Sequence, residues 1–232
     1  MRIRMQSDEE ADVRTDAGIK ILAMFFVAIM VLAFTTNPIA TGTKVGERAP
    51  TLEGKAYNGG GWTDFDMESY FTSNWTKGDR NGTWMLIDFM DTDCYYCNGA
   101  ADDVATYSDY FMKIRKDGNG NPEWQGPTVT FVASATQLDI PGHESSRDEI
   151  IAFRDRSGTE ECDGSSCATR PGAPHNFIYI DDLDQDNMKR WKVAGTPSYY
   201  LIQPDGIVAW SSAESNGETF YEAIGRLTLA EA

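Results

Sequence analysis

Cys94-Tyr95-Tyr96-Cys97 sets two thiols two residues apart, directly after the apolar run Trp84-Met85-Leu86-Ile87-Asp88-Phe89-Met90. A run of that length and apolarity reads as a buried strand and the residues after it as a helix, so the first thiol falls at a strand-to-helix junction. There the unpaired N–H groups and the positive end of the helix dipole point at the Cys94 sulfur and favour its thiolate, the form that attacks disulfides. Cys97, one turn further in, is placed as a shielded resolving thiol. Such a pair suits disulfide exchange, in which Cys94 attacks and Cys97 then displaces the product. Asp91 and Asp93 oppose the helix effect, because negative charge beside a sulfur disfavours its thiolate. The couple is therefore expected to lean towards reduction.

Asp88 is an acid among Leu86, Ile87, Phe89 and Met90, and a buried acid needs a reason to be there. The expected role is to take the Cys97 proton from inside the sheet. The alternative is a solvent-facing residue on a partly exposed strand. Tyr95 and Tyr96 read either as an aromatic rim that contacts partners or as side chains merely exposed between the thiols. A second pair, Cys162-Asp163-Gly164-Ser165-Ser166-Cys167, reads first as a structural disulfide. Its loop is so short that the chain-entropy gain is about 2 kcal/mol. A relay of electrons to Cys94 and Cys97 is the lesser reading. A four-thiol zinc site is disfavoured, because the second spacing is loose and neither His143 nor His175 has a supporting ligand pattern. Two acidic stretches, at Asp117 and at Asp182, Asp184 and Asp186, lack the closing acid of a calcium loop.

These elements need a frame. The 232 residues carry a net charge of −16, with 15 Lys/Arg against 31 Asp/Glu after residue 44. That domain repels phosphate backbones, so no nucleic-acid partner is expected. Between Lys20 and Lys44 there is no charge, and residues 21–34 are apolar throughout. The stretch is long enough to cross a bilayer and has no good cleavage site, which favours an uncleaved signal anchor over a cleaved signal peptide. The expected division is a cytoplasmic segment at 1–20, a transmembrane anchor at 21–40, a tether at 41–44 and an extracytoplasmic domain at 45–232. The basic residues around the span lean weakly to a cytoplasmic N-terminus. Paired cysteines and the sequons at Asn74 and Asn81 agree with export.

After an irregular region to residue 83, strands are expected at 84–90, 128–133, 176–180, 198–202 and 207–210. Helices are expected at 94–116, 145–155, 183–192 and 219–229. Strands alternating with helices and closing on a hairpin imply an α/β domain with a mixed sheet covered on both faces.

Several motifs in order now resemble one family. Gly46-Glu47-Arg48-Ala49-Pro50 is similar to the opening motif of the membrane-anchored, TlpA-like thiol–disulfide oxidoreductases of thioredoxin fold. Asp88 stands six residues before Cys94, as their buried acid does, and Gly195-Thr196-Pro197 matches their cis-proline loop. Tyr200 to Gly206 is similar to the strand and turn that follow. The resemblance covers roughly residues 45–228. Two departures stand out: Asp93 replaces the usual Trp before the first Cys, and Tyr96 the usual Pro before the second.

The resemblance implies a thioredoxin-like fold, catalysis by Cys94 and Cys97 with Asp88, and a cis bond before Pro197. That bond would set the Thr196 backbone beside the disulfide to pair with an extended substrate. No metal and no organic cofactor enter this reading. The expected partners are exported cysteine-containing proteins and a membrane electron donor. The other readings are a non-catalytic partner- or Cu(I)-binding module and a peroxiredoxin-like peroxidase. The last expects Thr three residues before its cysteine, where Asp91 stands.

Overall fold

The computed structural model describes residues 6–35, 39–79, 81–157 and 172–230. Cys162 and Cys167 lie outside the described residues, and with them the expected second disulfide. The chain divides into two units, residues 1–39 and 40–232.

The first unit is one helix, α1 (Gln6–Thr35). Its window Thr15–Leu32 is long and apolar enough to cross a membrane. At about 1.5 Å per residue this window spans most of a hydrocarbon core. This window overlaps the anchor expected at 21–40.

The second unit holds a seven-stranded sheet in the order β2-β1-β5-β4-β3-β6-β7. The strands are β1 (Glu53–Tyr57), β2 (Trp62–Asp66), β3 (Trp84–Met90), β4 (Val129–Thr136), β5 (Ile178–Asp182), β6 (Ser198–Ile202) and β7 (Val208–Ser211). β3 runs parallel to β4 and β4 to β5, while the pairings of β1 with β2 and β5, and of β6 with β3 and β7, are antiparallel. The helices are α2 (Tyr95–Phe111), α3 (Arg147–Asp155), α4 (Asp186–Arg190) and α5 (Phe220–Ala230).

β3 is central and all seven of its residues are buried. Strand side chains alternate between faces, and the two halves of β3 enter different cores. Trp84, Leu86 and Met90 pack with Ala101 and Val104 of α2, Ile150 and Phe153 of α3, and Ala223 and Ile224 of α5. Met85, Ile87 and Phe89 pack with Leu52, Met67 and Trp191. Burial on both faces explains the apolar run, and it leaves Asp88 on the face that α2 covers.

One hairpin lies where an irregular region was expected. β1 and β2 pair around Asn58-Gly59-Gly60-Gly61, with Asn58 N–H donating to the Gly61 carbonyl at 3.3 Å. Helix α2 also stops at Phe111, short of the expected residue 116. Lys113 turns to φ +65°, and the chain returns as Arg115 accepts from Glu123 N–H.

Candidate active site

Cys94 is the N-cap of α2. Its sulfur accepts the Cys97 N–H at 3.3 Å, the contact expected of a thiol at a helix start, and its own N–H donates to the Asp91 carbonyl at 3.1 Å. The Asn98 side chain donates to the Thr92 and Cys94 carbonyls, each at 3.0 Å, and so closes the turn. On the opposite side the Cys94 thiol donates to the Thr196 carbonyl at 3.4 Å. The Thr196–Pro197 peptide is cis. Gly195 to Ser198 are held by Ser198 Oγ donating to the Gly195 carbonyl at 2.6 Å.

Exposure does not distinguish the thiols, because Cys94 is only 5% exposed and Cys97 4%. Surroundings do. Burial pushes the Cys97 thiol far up, and the Asp88 charge and the hydrogen bond with Cys94 add to it, against smaller pulls from the Asp91 main chain and the Thr196 side chain. Cys97 therefore keeps its proton until a base removes it.

Asp88 is the candidate base. It is 6% exposed, its Oδ1 has no hydrogen-bond partner, and burial raises its carboxyl from 3.8 to about 8. The solvent-facing alternative does not hold. Register explains the site: Asp88 lies opposite Tyr199 on β6 and Ala133 on β4, and Ala133 lies opposite Tyr179 on β5. The small Ala133 leaves the acid between two phenols, whose own ionisation is pushed up by burial first and by the Asp88 charge second. A carboxyl that titrates near neutrality, behind a thiol that resists ionising, can accept and return a proton at working pH.

Tyr95 and Tyr96 are 82% and 72% exposed, and their rings meet edge to face with centroids 5.6 Å apart. The site thus brings together Cys94, Cys97, Asp88, Thr196 and Pro197, with the two tyrosines on its solvent side.

The structure gives Asp91 a different part from the one expected. Its carboxylate is fully buried and bonded to the segment after β4, where Leu138 N–H donates to Oδ2 at 2.8 Å and His143 Nδ1 lies 2.8 Å away. It is no simple surface charge, so its removal would disturb the turn as well as the electrostatics. Asp93 is partly exposed and is the cleaner probe of poise. Asp93→Asn is expected to make the couple more oxidising by on the order of 10–30 mV, where 30 mV corresponds to about 1.4 kcal/mol. Equilibration with glutathione measures it, and a shift the other way contradicts the charge argument.

His143, which has no ligand pattern in the sequence, also has no neighbouring motif that signals Asp91. His175 is a core histidine: its Nδ1 meets the Tyr179 hydroxyl, its Nε2 lies 3.1 Å from the Ala101 carbonyl, and burial lowers it to about 3.

No family model and no curated protein matches the chain. Solved structures do. A putative thiol:disulfide interchange protein DsbE from Chlorobium tepidum is 14% identical, over 82% of this chain and 99% of its own, with a TM-score of 0.50. The reduced 2-Cys peroxiredoxin of Plasmodium vivax is also 14% identical, over 80% and 95%, with a TM-score of 0.50. The fold is thioredoxin-like, shared with thiol:disulfide oxidoreductases, and it carries a neighbouring Cys94–Cys97 pair.

Proposed function

We propose that the chain is a membrane-anchored thiol–disulfide oxidoreductase whose catalytic domain faces the extracytoplasmic side and reduces disulfides of exported proteins. The observation that carries this is the Cys94 sulfur, capped by the Cys97 N–H and set against the Thr196 carbonyl, with Asp88 behind Cys97. The Cys94 thiolate attacks a substrate disulfide, forms a mixed disulfide and releases one substrate thiolate, which takes a proton from solvent. Asp88 then accepts the Cys97 proton. The Cys97 sulfur attacks Cys94, the second substrate thiol leaves, and the pair is oxidised by two electrons as the substrate is reduced by two. A dithiol donor in the membrane would restore the reduced pair. An extended substrate segment would pair with the Thr196 backbone beside Pro197, with Tyr95 and Tyr96 against its flanks.

Turnover tests this reading. The full chain in detergent, with a dithiol reductant, is expected to reduce a disulfide-bonded peptide catalytically, and Cys94→Ala to abolish the reaction. Stoichiometric binding without turnover would favour a non-catalytic module. Catalytic consumption of hydrogen peroxide in preference to the peptide would favour a peroxidase. Against a peroxidase, the Thr92 hydroxyl is bonded to Ser145 Oγ at 2.7 Å, and Asp91 occupies the position where that chemistry expects Thr.

A further inference from the structure

Asp91 is tied to the thiol pair through its main chain. Its carbonyl accepts the Cys94 main-chain N–H at 3.1 Å, and its main chain favours the Cys97 thiolate against the burial that opposes it. Whatever fixes Asp91 therefore fixes the geometry of the pair. Its carboxylate is fully buried and accepts the Asp93 N–H at 2.8 Å through Oδ1. Through Oδ2 it accepts the Leu138 N–H at 2.8 Å and meets His143 Nδ1 at 2.8 Å. A buried carboxylate with a donor removed is strongly destabilised. Two of these three donors are amides that the backbone supplies whatever the side chains are. The third is an imidazole, 18% exposed, that a single substitution removes. Because a carboxylate only accepts, the hydrogen between the two lies on His143 Nδ1.

The local chain is shaped to deliver that donor. Ile140-Pro141-Gly142-His143 forms a turn in which His143 N–H donates to the Ile140 carbonyl at 3.0 Å, and Gly142 takes φ +89°, a conformation that suits glycine. The neighbouring contacts repeat the pattern. Thr92 Oγ1 and Ser145 Oγ are 2.7 Å apart, and Asp93 Oδ2 accepts the Glu144 N–H at 3.1 Å. Three consecutive residues before the nucleophile are thus each bonded to residues 138–145. None of these contacts takes part in the proton and electron transfers described above.

We propose that His143 is a positioning residue for the thiol pair: by donating to Asp91 it keeps that carboxylate buried and the 91–94 turn closed, and so holds the Cys94 sulfur under the end of α2. The proposal concerns the site of the proposed oxidoreductase and rests on that reading for its purpose. Its test does not depend on turnover.

The experiment compares His143→Asn, His143→Gln and His143→Leu in the full chain. It measures the rate of Cys94 alkylation by iodoacetamide and the equilibrium of the pair with glutathione, both well below the thermal unfolding midpoint. An Asn side chain places its amide N–H where Nδ1 stands, whereas Gln reaches towards the Nε2 position. The expected result is that Asn alkylates within about threefold of the unsubstituted protein, while Gln and Leu fall at least tenfold, with the glutathione equilibrium moving in the same order. If Leu does not fold, Asn and Gln decide between themselves. Leu or Gln reacting as the unsubstituted protein does, or Asn as slow as Gln, overturns the proposal, even where the melting temperature has fallen. A protein that shows the expected alkylation order but never turns over a disulfide would sink the oxidoreductase reading and leave this one standing.

Discussion

Replacing Asp88 with Asn is expected to raise the unfolding free energy of the globular unit by on the order of 5 kcal/mol at pH 8, and to change it little at pH 4. The sign follows from where the proton sits. Burial moves the carboxyl from 3.8 to about 8 in the folded protein. Between those values the folded state keeps a proton that the unfolded chain has released, so the folded state binds more protons and loses stability as pH rises. The loss begins near pH 4, amounts to about 1.4 kcal/mol per pH unit, and levels off above pH 8. An Asn amide fills the same space, does not titrate, and removes that slope. Thermal unfolding of both proteins from pH 4 to 9 checks it, and parallel pH profiles would contradict the assignment. The gain in stability comes with a loss of function. Resolution of the mixed disulfide should slow by roughly a hundredfold, the usual effect of losing a positioned base, while formation of the mixed disulfide stays near its original rate. Equal slowing of both half-reactions would remove Asp88 from the mechanism.

Cys97→Ala is expected to arrest the reaction at the mixed disulfide and to increase the trapped complex more than tenfold over Cys94→Ala. The asymmetry does not come from exposure, since both thiols are almost covered. Cys94 has the helix-end N–H of Cys97 aimed at its sulfur and the Thr196 carbonyl beside it. Cys97 faces a carboxyl and a core that both oppose its ionisation. The first is equipped to attack from outside and the second to wait for a base. Incubation of each variant with an excess of a disulfide-bonded peptide, followed by intact mass measurement without reductant, counts the adducts. Equal trapping by Cys94→Ala would reverse the assignment of the two thiols.

Much of this was legible in the sequence where local pattern and tertiary role agree. β3 and β6 lie at the residues expected, 84–90 and 198–202, because buried strands between turn residues announce themselves by apolarity alone. The cysteine pair, the buried acid and the cis peptide were legible because each belongs to a short contiguous motif. The misses have physical causes. Glu53–Tyr57 mixes Gly and charge and buries only Ala56 fully, so its strand character comes from pairing with β2 and β5. The Asn58-Gly59 step was the available signal for that hairpin. β5 runs on through Asp181 and Asp182, which look like turn residues. Asp182 is buried there because Ser134 Oγ and the amides of Asn187 and Met188 donate to it. Residues 112–116 have good helix formers but are drawn into a return of the chain instead. The His143–Asp91 contact crosses 52 positions from an irregular loop, where neither periodicity nor motif reports it.

The claim on which the rest depends is that Cys94 and Cys97 form one reversible two-electron couple poised for reduction. Titration of the full chain in glutathione buffers at pH 7, read by alkylation of both thiols, tests it most directly. The expected result is a single two-electron transition that either Cys→Ala substitution abolishes, with a potential nearer to about −270 mV than to about −120 mV. A pair that forms no intramolecular disulfide, or one whose potential lies above about −150 mV, where disulfide donors rather than reductants are found, would contradict it.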